Sequence, residues 1–153
     1  LTDRPGLPGA NARAFATFLN ARPAGTQDLW QARLYLLKPL VRMVLALLWL
    51  ASGALGLLTP LAAFAPAVGA LPEGAALVLA RAGGIVDLAL GLALLRNFRP
   101  RAVALAQLAV VGGYTIGLTT FAPALWLDPF GGLLKNLPVL ALILIHLALA
   151  EER

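Results

Sequence analysis

Four long runs of apolar residues decide what this sequence can fold into. The first, MVLALLWLASGALGLL (43–58), contains no charged residue, and each of the others contains at most two. A helix rises about 1.5 Å per residue, so roughly 20 residues cross the hydrocarbon core of a bilayer. Because backbone groups in lipid must bond within their own segment, runs of this length are expected to be helices. We predict an all-α membrane protein, a four-transmembrane-helix bundle with spans at about 40–59, 75–95, 101–120 and 132–150.

The composition supports lipid as the main solvent. Of the 153 residues, 60% are apolar and 12% are charged, and the mean hydropathy is +0.85. A soluble domain of this size has too little interior to hide that much apolar surface. The sequence has no cysteine and one histidine, so we expect no disulfide, iron–sulfur cluster or other metal site.

Charged residues flank the spans unevenly, and this predicts an orientation. Basic residues stand before the first span and between the second and third: Arg33, Lys38, Arg42, Arg96, Arg99 and Arg101. The connections 60–74 and 121–131 contain no base and one acid each. The positive-inside rule then places both termini and the 96–101 loop in the cytoplasm. We predict that the protein lies in a bacterial inner membrane. The excess of 12 basic over 7 acidic residues is explained in this way without nucleic acid.

Residues 1–32 differ from the rest and are predicted to be a cytoplasmic linker or interfacial segment, with the membrane domain at 33–153. Proline and glycine cluster at 5–9 and at 23–25. The stretch QDLWQARLYLLKPL (27–40) could begin as a helix lying on the lipid headgroups.

Polar residues inside spans are rare and costly, so each is a candidate for function. Counting helix rise from the cytoplasmic end places Asp87, Ser52 and Gln107 at similar depths, roughly 9–15 Å. A second layer, roughly 20–24 Å deep, would contain Arg81, Tyr114 and Lys135. The candidates for ligand binding or proton handling are Arg81, Asp87, Gln107, Tyr114, Lys135 and Asn136.

Structural roles are the alternative for the same residues. Asp87 could be a buried acid that bonds to a neighbouring helix, since the small residues Gly83 and Gly91 on its face allow close approach. Arg81 and Lys135 could reach the outer interface with their long side chains or be paired structurally. We expect His146 to be a wet interfacial histidine.

The segment LWLDPFGGLLKNLP (125–138) concentrates turn-forming and polar residues before the fourth span. Trp126 suits the membrane interface. Asp128 and Pro129 are predicted to cap and begin a helix, and Gly131 permits a local break.

Two stretches, 32–60 and 125–153, resemble the first and last spans of DoxX-like membrane proteins. They are most similar to the version fused behind a short-chain-dehydrogenase-type NAD(P)-binding domain. The matching positions are Arg33, Leu34, Tyr35, Leu37, Lys38, Pro39, Trp49, Ser52, Gly53, Pro123, Leu125, Trp126, Asp128, Pro129, Gly131, Leu133, Leu134, Lys135, Asn136 and Pro138. The resemblance implies a four-helix membrane module associated with quinol oxidation or with membrane oxidoreductase assemblies. No nucleotide-binding motif accompanies it, so the chain is either a stand-alone relative or a piece of a fusion.

Three functions are open on these grounds. The first is a membrane domain or subunit of an oxidoreductase system, with a crevice for a quinone or lipid and a redox partner or other membrane protein beside it. The second is a non-catalytic accessory subunit that stabilises a larger membrane complex. The third is a transporter of a small solute or ion. Without a nucleotide, metal or flavin motif, we do not expect this chain to catalyse a reaction alone.

Overall fold

Four α-helices and two short 3-10 turns form the described part of the chain. The computed structural model describes residues 25–64, 72–129 and 131–150. The helices are α1 (Thr26–Leu58), α2 (Glu73–Leu95), α3 (Pro100–Phe121) and α4 (Asn136–Leu149), and the 3-10 turns are Leu61–Phe64 and Pro123–Trp126. No strand occurs among these described residues. The predicted all-α membrane fold is confirmed.

Three of the helices, α1, α2 and α3, are long and apolar enough to cross a membrane. The predicted second and third spans agree with them to within two residues at each end. The fourth span was predicted too long, because α4 has only 14 residues. Turns occupy 132–135 at its start, and a helix of this length extends about 21 Å.

The helix that contains the predicted first span begins well before it. Helix α1 begins at Thr26 and continues through Pro39. The chain divides into two compact units, Leu1–Tyr35 and Leu36–Arg153. In the first unit, the Gly25 amide donates a hydrogen bond to the Asp28 carboxylate at 2.8 Å, which suits a helix N-terminus. Most of the predicted linker, residues 1–24, lies outside the described residues.

Helices α1 and α2 pack at a backbone-to-backbone distance that only glycine allows. A Cβ added to Gly53 would lie 2.8 Å from the Gly84 carbonyl oxygen and 2.7 Å from the Leu88 side chain. A Cβ on Gly56 would lie 3.0 Å from the Gly84 Cα. Lipid tails are as apolar as leucine, so helices associate in membranes mainly by such close packing.

The core lies between the inward faces of the four helices. On α1 these are Leu45 and Trp49, four residues apart, and on α3 and α4 they include Ala104 and Ile143. Large apolar residues on the other faces stay exposed, for example Leu47, Val78, Ile85, Leu105 and Leu144. Within the most apolar windows of the three long helices, only 22–28% of residues are buried inside the protein. Most of the apolar surface therefore faces outward, where lipid is its natural solvent.

The connection between α2 and α3 is a tight turn. Asn97 adopts a left-handed conformation with φ 52°, and the Asn97 and Phe98 amides bond to the Leu94 and Ala93 carbonyls. These two bonds form a Schellman motif, with asparagine at the left-handed position that glycine usually occupies. Pro100 then starts α3 at a position where its missing N–H costs nothing.

The glycine contact predicts different effects of a glycine-to-alanine substitution at two positions. We expect Gly53→Ala to lower the free energy of unfolding by about 1–3 kcal/mol, because the new methyl group overlaps α2. Gly113→Ala is the matched control, since a Cβ there meets nothing within 4 Å, and it should leave stability unchanged or raise it by up to about 1 kcal/mol. Unfolding in mixed detergent micelles with increasing dodecyl sulfate measures both. Equal effects of the two substitutions would contradict the packing.

Candidate functional site

A buried carboxylate joins three helices in the middle of the bundle. Asp87 on α2 is 3% exposed. One carboxylate oxygen accepts a hydrogen bond from the Ser52 hydroxyl of α1 at 2.6 Å. The other accepts one from the Tyr114 hydroxyl of α3 at 3.0 Å. We call Ser52, Asp87 and Tyr114 the polar triad.

Glycines on α2 make room for the polar triad. Gly83 precedes Asp87 by one helical turn, and a Cβ there would lie 2.9 Å from the Tyr114 hydroxyl oxygen. Gly91 follows Asp87 by one turn, and a Cβ there would lie 2.8 Å from the Leu50 side chain. The predicted small-residue face around Asp87 thus admits a tyrosine on one side and a leucine on the other.

Tyr114 connects the buried acid to the outside of the bundle. Its side chain is half-buried, whereas Asp87 is buried. Helical side chains tilt toward the N-terminus of their helix. Tyr114 therefore points from its own depth back toward the start of α3, and it reaches Asp87 rather than the deeper layer with Arg81 and Lys135.

Arg81 binds the end of α1. Its guanidinium donates hydrogen bonds to the carbonyl oxygens of Gly56 at 2.8 Å, Thr59 at 3.2 Å and Leu57. The last carbonyls of a helix have no partner within it and carry partial negative charge. Arg81 satisfies two of them, Gly56 and Leu57, together with the Thr59 carbonyl just beyond the helix. This is the structural pairing stated above as the alternative for this residue.

A second polar strip runs along α3 toward α4. The Asn136 amide nitrogen donates to the Thr115 hydroxyl at 2.8 Å, and the Trp126 indole donates to the Thr119 hydroxyl at 3.0 Å. The two threonine hydroxyls in turn donate to carbonyls one turn earlier in α3. Asn136 and Trp126 thus attach the 123–136 connection to the helix that precedes it.

The two remaining candidates, Lys135 and Gln107, differ in burial. Lys135 is exposed. Gln107 is fully buried, at 0% exposure, and neither its amide oxygen nor its amide nitrogen has a partner among the described residues. The six candidates therefore do not form one cluster, since Arg81, Tyr114 and Asn136 each belong to a different set of contacts.

The predicted capping role of Asp128 and Pro129 is wrong. Helix α4 begins at Asn136 with Lys135 as its N-cap and no side-chain cap. Asp128 instead precedes a turn in which the Gly131 amide bonds the Asp128 carbonyl at 2.8 Å. Gly131 has a φ of 68°, a conformation that interrupts any helix begun at Pro129.

His146 is buried rather than wet. It is 4% exposed, its Nε2 atom has no hydrogen-bond partner among the described residues, and it shares a small depression with Arg42. Sequence reasoning overlooked Arg42 as a site residue. The seven-residue spacing from Arg42 to the buried Trp49 places both on one face of α1 and could have indicated it.

The chain is similar to a known protein family. The sequence model of the DoxX-like family matches residues 46–144, from the middle of α1 to α4. No curated protein and no solved structure matches the chain.

The polar triad predicts coupled losses of stability. We expect Tyr114→Phe to lower the free energy of unfolding by about 0.5–2 kcal/mol, because Asp87 loses a donor inside the bundle. The double variant with Ser52→Ala should deviate from the sum of the single changes, since both hydroxyls act on one carboxylate. The control is Thr120→Val, whose hydroxyl is exposed and bonds its own helix. A Tyr114→Phe effect no larger than that of the control would refute the triad.

The Arg81 contact predicts local opening at the end of α1. Arg81→Met keeps the length of the side chain but removes every donor. We expect the Thr59 amide, which bonds Leu55 at 2.9 Å, to exchange with deuterium about tenfold faster, in line with the loss of a hydrogen-bonded charge. Arg96→Met, at an exposed position in the α2–α3 turn, is the control. Exchange that is unchanged at Thr59, or that is accelerated equally in both variants, would count against the capping role.

Proposed function

Because this chain belongs to the DoxX-like family, we propose that it is the membrane domain or subunit of an oxidoreductase system in a bacterial inner membrane. We further propose that it exchanges protons with a quinone-type molecule taken from the bilayer. The observation that carries this proposal is the hydrogen bond between half-buried Tyr114 and buried Asp87. An ionisable side chain inside a membrane is a functional candidate by default, because burying it without a use is costly.

The chemistry follows from the order of the groups. A quinone becomes a quinol by gaining two electrons and two protons, and the reverse reaction releases them. A quinone carbonyl arriving from the lipid would meet the Tyr114 hydroxyl before Asp87. When the redox partner reduces the quinone, Tyr114 would donate its proton to the ring oxygen. Asp87, acting in its protonated carboxylic acid form, would then return a proton to Tyr114 and be left as the carboxylate, as positioned acid–base groups do.

Electrons would come from a separate redox partner. The sequence contains no cysteine and one histidine, so it lacks the ligands of an iron–sulfur cluster. The resemblance noted above points to a short-chain-dehydrogenase-type NAD(P)-binding partner on the cytoplasmic side. In this proposal both termini and the 96–101 loop face that side, as the basic residues indicate.

The accessory-subunit function is the alternative, and the open face of α3 favours it. A Cβ on Gly112, Gly113 or Gly117 would meet nothing within 4 Å, so another helix could approach there closely. The transporter function is disfavoured by the polar triad. A solute passing Asp87 would have to break the hydrogen bonds from Ser52 and Tyr114.

Quinone binding tests the proposal directly. The purified chain is placed in lipid nanodiscs and titrated with decylubiquinone while tryptophan fluorescence is measured. We expect saturable quenching, and about fivefold weaker binding for Tyr114→Phe, which corresponds to one hydrogen bond of about 1 kcal/mol.

The chain supplies its own control, since Tyr35 is the other of its two tyrosines and is 78% exposed. Tyr35→Phe should leave the affinity unchanged. Quenching that never saturates, or an affinity that changes equally in both variants, would contradict quinone binding at Tyr114. Isolation of a stable complex with a non-redox membrane protein would then favour the accessory subunit.

A further inference from the structure

A small depression lies at the end of the bundle that carries the α2–α3 turn. It is partly open to the surface and has no enclosed volume, unlike the pockets that bury most of a small molecule. The residues that line it are Arg42, Ala93, Leu94, Asn97, Phe98, Pro100, Val103 and His146. We propose that this depression binds the phosphate group of an anionic lipid headgroup.

The first support is His146, which is 4% exposed and lines the depression. Its Nε2 atom has no partner among the described residues. Buried polar atoms are nearly always hydrogen-bonded, and those that are not call for an explanation such as a bound ion or ligand. An Nε2 atom that carries a hydrogen is a hydrogen-bond donor, and phosphate oxygens are strong acceptors.

The second support is positive charge around His146. The Nε atom of Arg42 is also buried without a partner among the described residues. Arg42 and Lys38 both lie close enough to His146 to act on it electrostatically. Guanidinium groups pair with phosphate by charge and by directed hydrogen bonds together.

The third support is the start of α3, which enters the wall of the depression through Pro100 and Val103. Arg99 precedes the helix in a left-handed conformation and makes no side-chain cap. The first N–H groups of a helix have no partner within it and carry partial positive charge. A phosphate is the ligand that such an end favours.

Size and position select a lipid phosphate over a quinone ring. The depression has no room for a ring, so a phosphate would sit at its mouth. In this proposal the side chains that line the mouth move on binding, and a phosphate oxygen then reaches the buried His146. Phe98 is 59% exposed, and its ring lies 5.5 Å from the Arg99 guanidinium. Anionic headgroups gather where basic residues meet the membrane surface. This inference does not depend on the quinone proposal, which concerns Tyr114.

The single histidine of the chain makes the test specific. The protein is labelled with ¹⁵N at histidine, so that every imidazole signal reports His146. It is titrated in neutral detergent with a short-chain phosphatidylglycerol, and in parallel with inorganic phosphate and with diacylglycerol, which has no phosphate. We expect a saturable shift of the Nε2 signal with phosphatidylglycerol, and none with diacylglycerol.

Two arginine variants separate a built site from general attraction. Arg42→Gln should weaken phosphatidylglycerol binding about tenfold, the loss expected for a charge-assisted hydrogen bond. Arg33→Gln removes the same charge from an exposed residue and should change the affinity less than twofold. Far-UV circular dichroism verifies that both variants are folded. An Nε2 signal that does not respond, an equal loss in both variants, or saturation by inorganic phosphate alone would each overturn the lipid-phosphate site.

Discussion

The structure depends on one constraint, which is that a polar group inside lipid must find its partner within the protein. Backbone groups meet it by forming helices. At the end of α1, the final carbonyls have no donor within the helix, and Arg81 of α2 donates hydrogen bonds to carbonyls there instead. Asp87 meets the same demand with one hydroxyl from each neighbouring helix. The polar side chains thus add hydrogen bonds between the same helices that pack closely, and both contribute to helix association in lipid.

Close approach of α1 and α2 makes these contacts possible. The contact of Gly53 with Gly84 brings the two backbones near enough for Ser52, the residue beside Gly53, to reach Asp87. A bulkier residue at Gly53 would separate the helices and lengthen the Ser52–Asp87 distance of 2.6 Å. The hydrogen bond between Ser52 and Asp87 therefore depends on the close glycine packing of the two helices.

Much of the fold could be predicted from sequence, because length and hydropathy alone define a membrane helix. The boundaries of α2 and α3 follow from the charges and prolines near their ends, which act locally. Depth along a helix also follows from residue counting, and it placed Ser52 and Asp87 together. It failed for Tyr114, because depth describes the Cα and not the direction of a long side chain. It failed for His146 because burial depends on how four helices pack, which no single helix encodes. The start of α4 was missed since Asp128 and Pro129 suit a turn as well as a helix start.

The shortness of α4 has a consequence for the surrounding bilayer. At about 21 Å, it falls short of a hydrocarbon core of about 30 Å. Lipids beside a short apolar segment thin locally, or the polar residues at its ends reach outward. Lys135, exposed at the N-cap of α4, provides such a residue on one side. Where thinning is the response, we expect the bilayer to be thinner beside α4 than beside α1, so that its thickness is uneven around the protein. Membranes of lower thickness accommodate that unevenness at the smallest elastic cost.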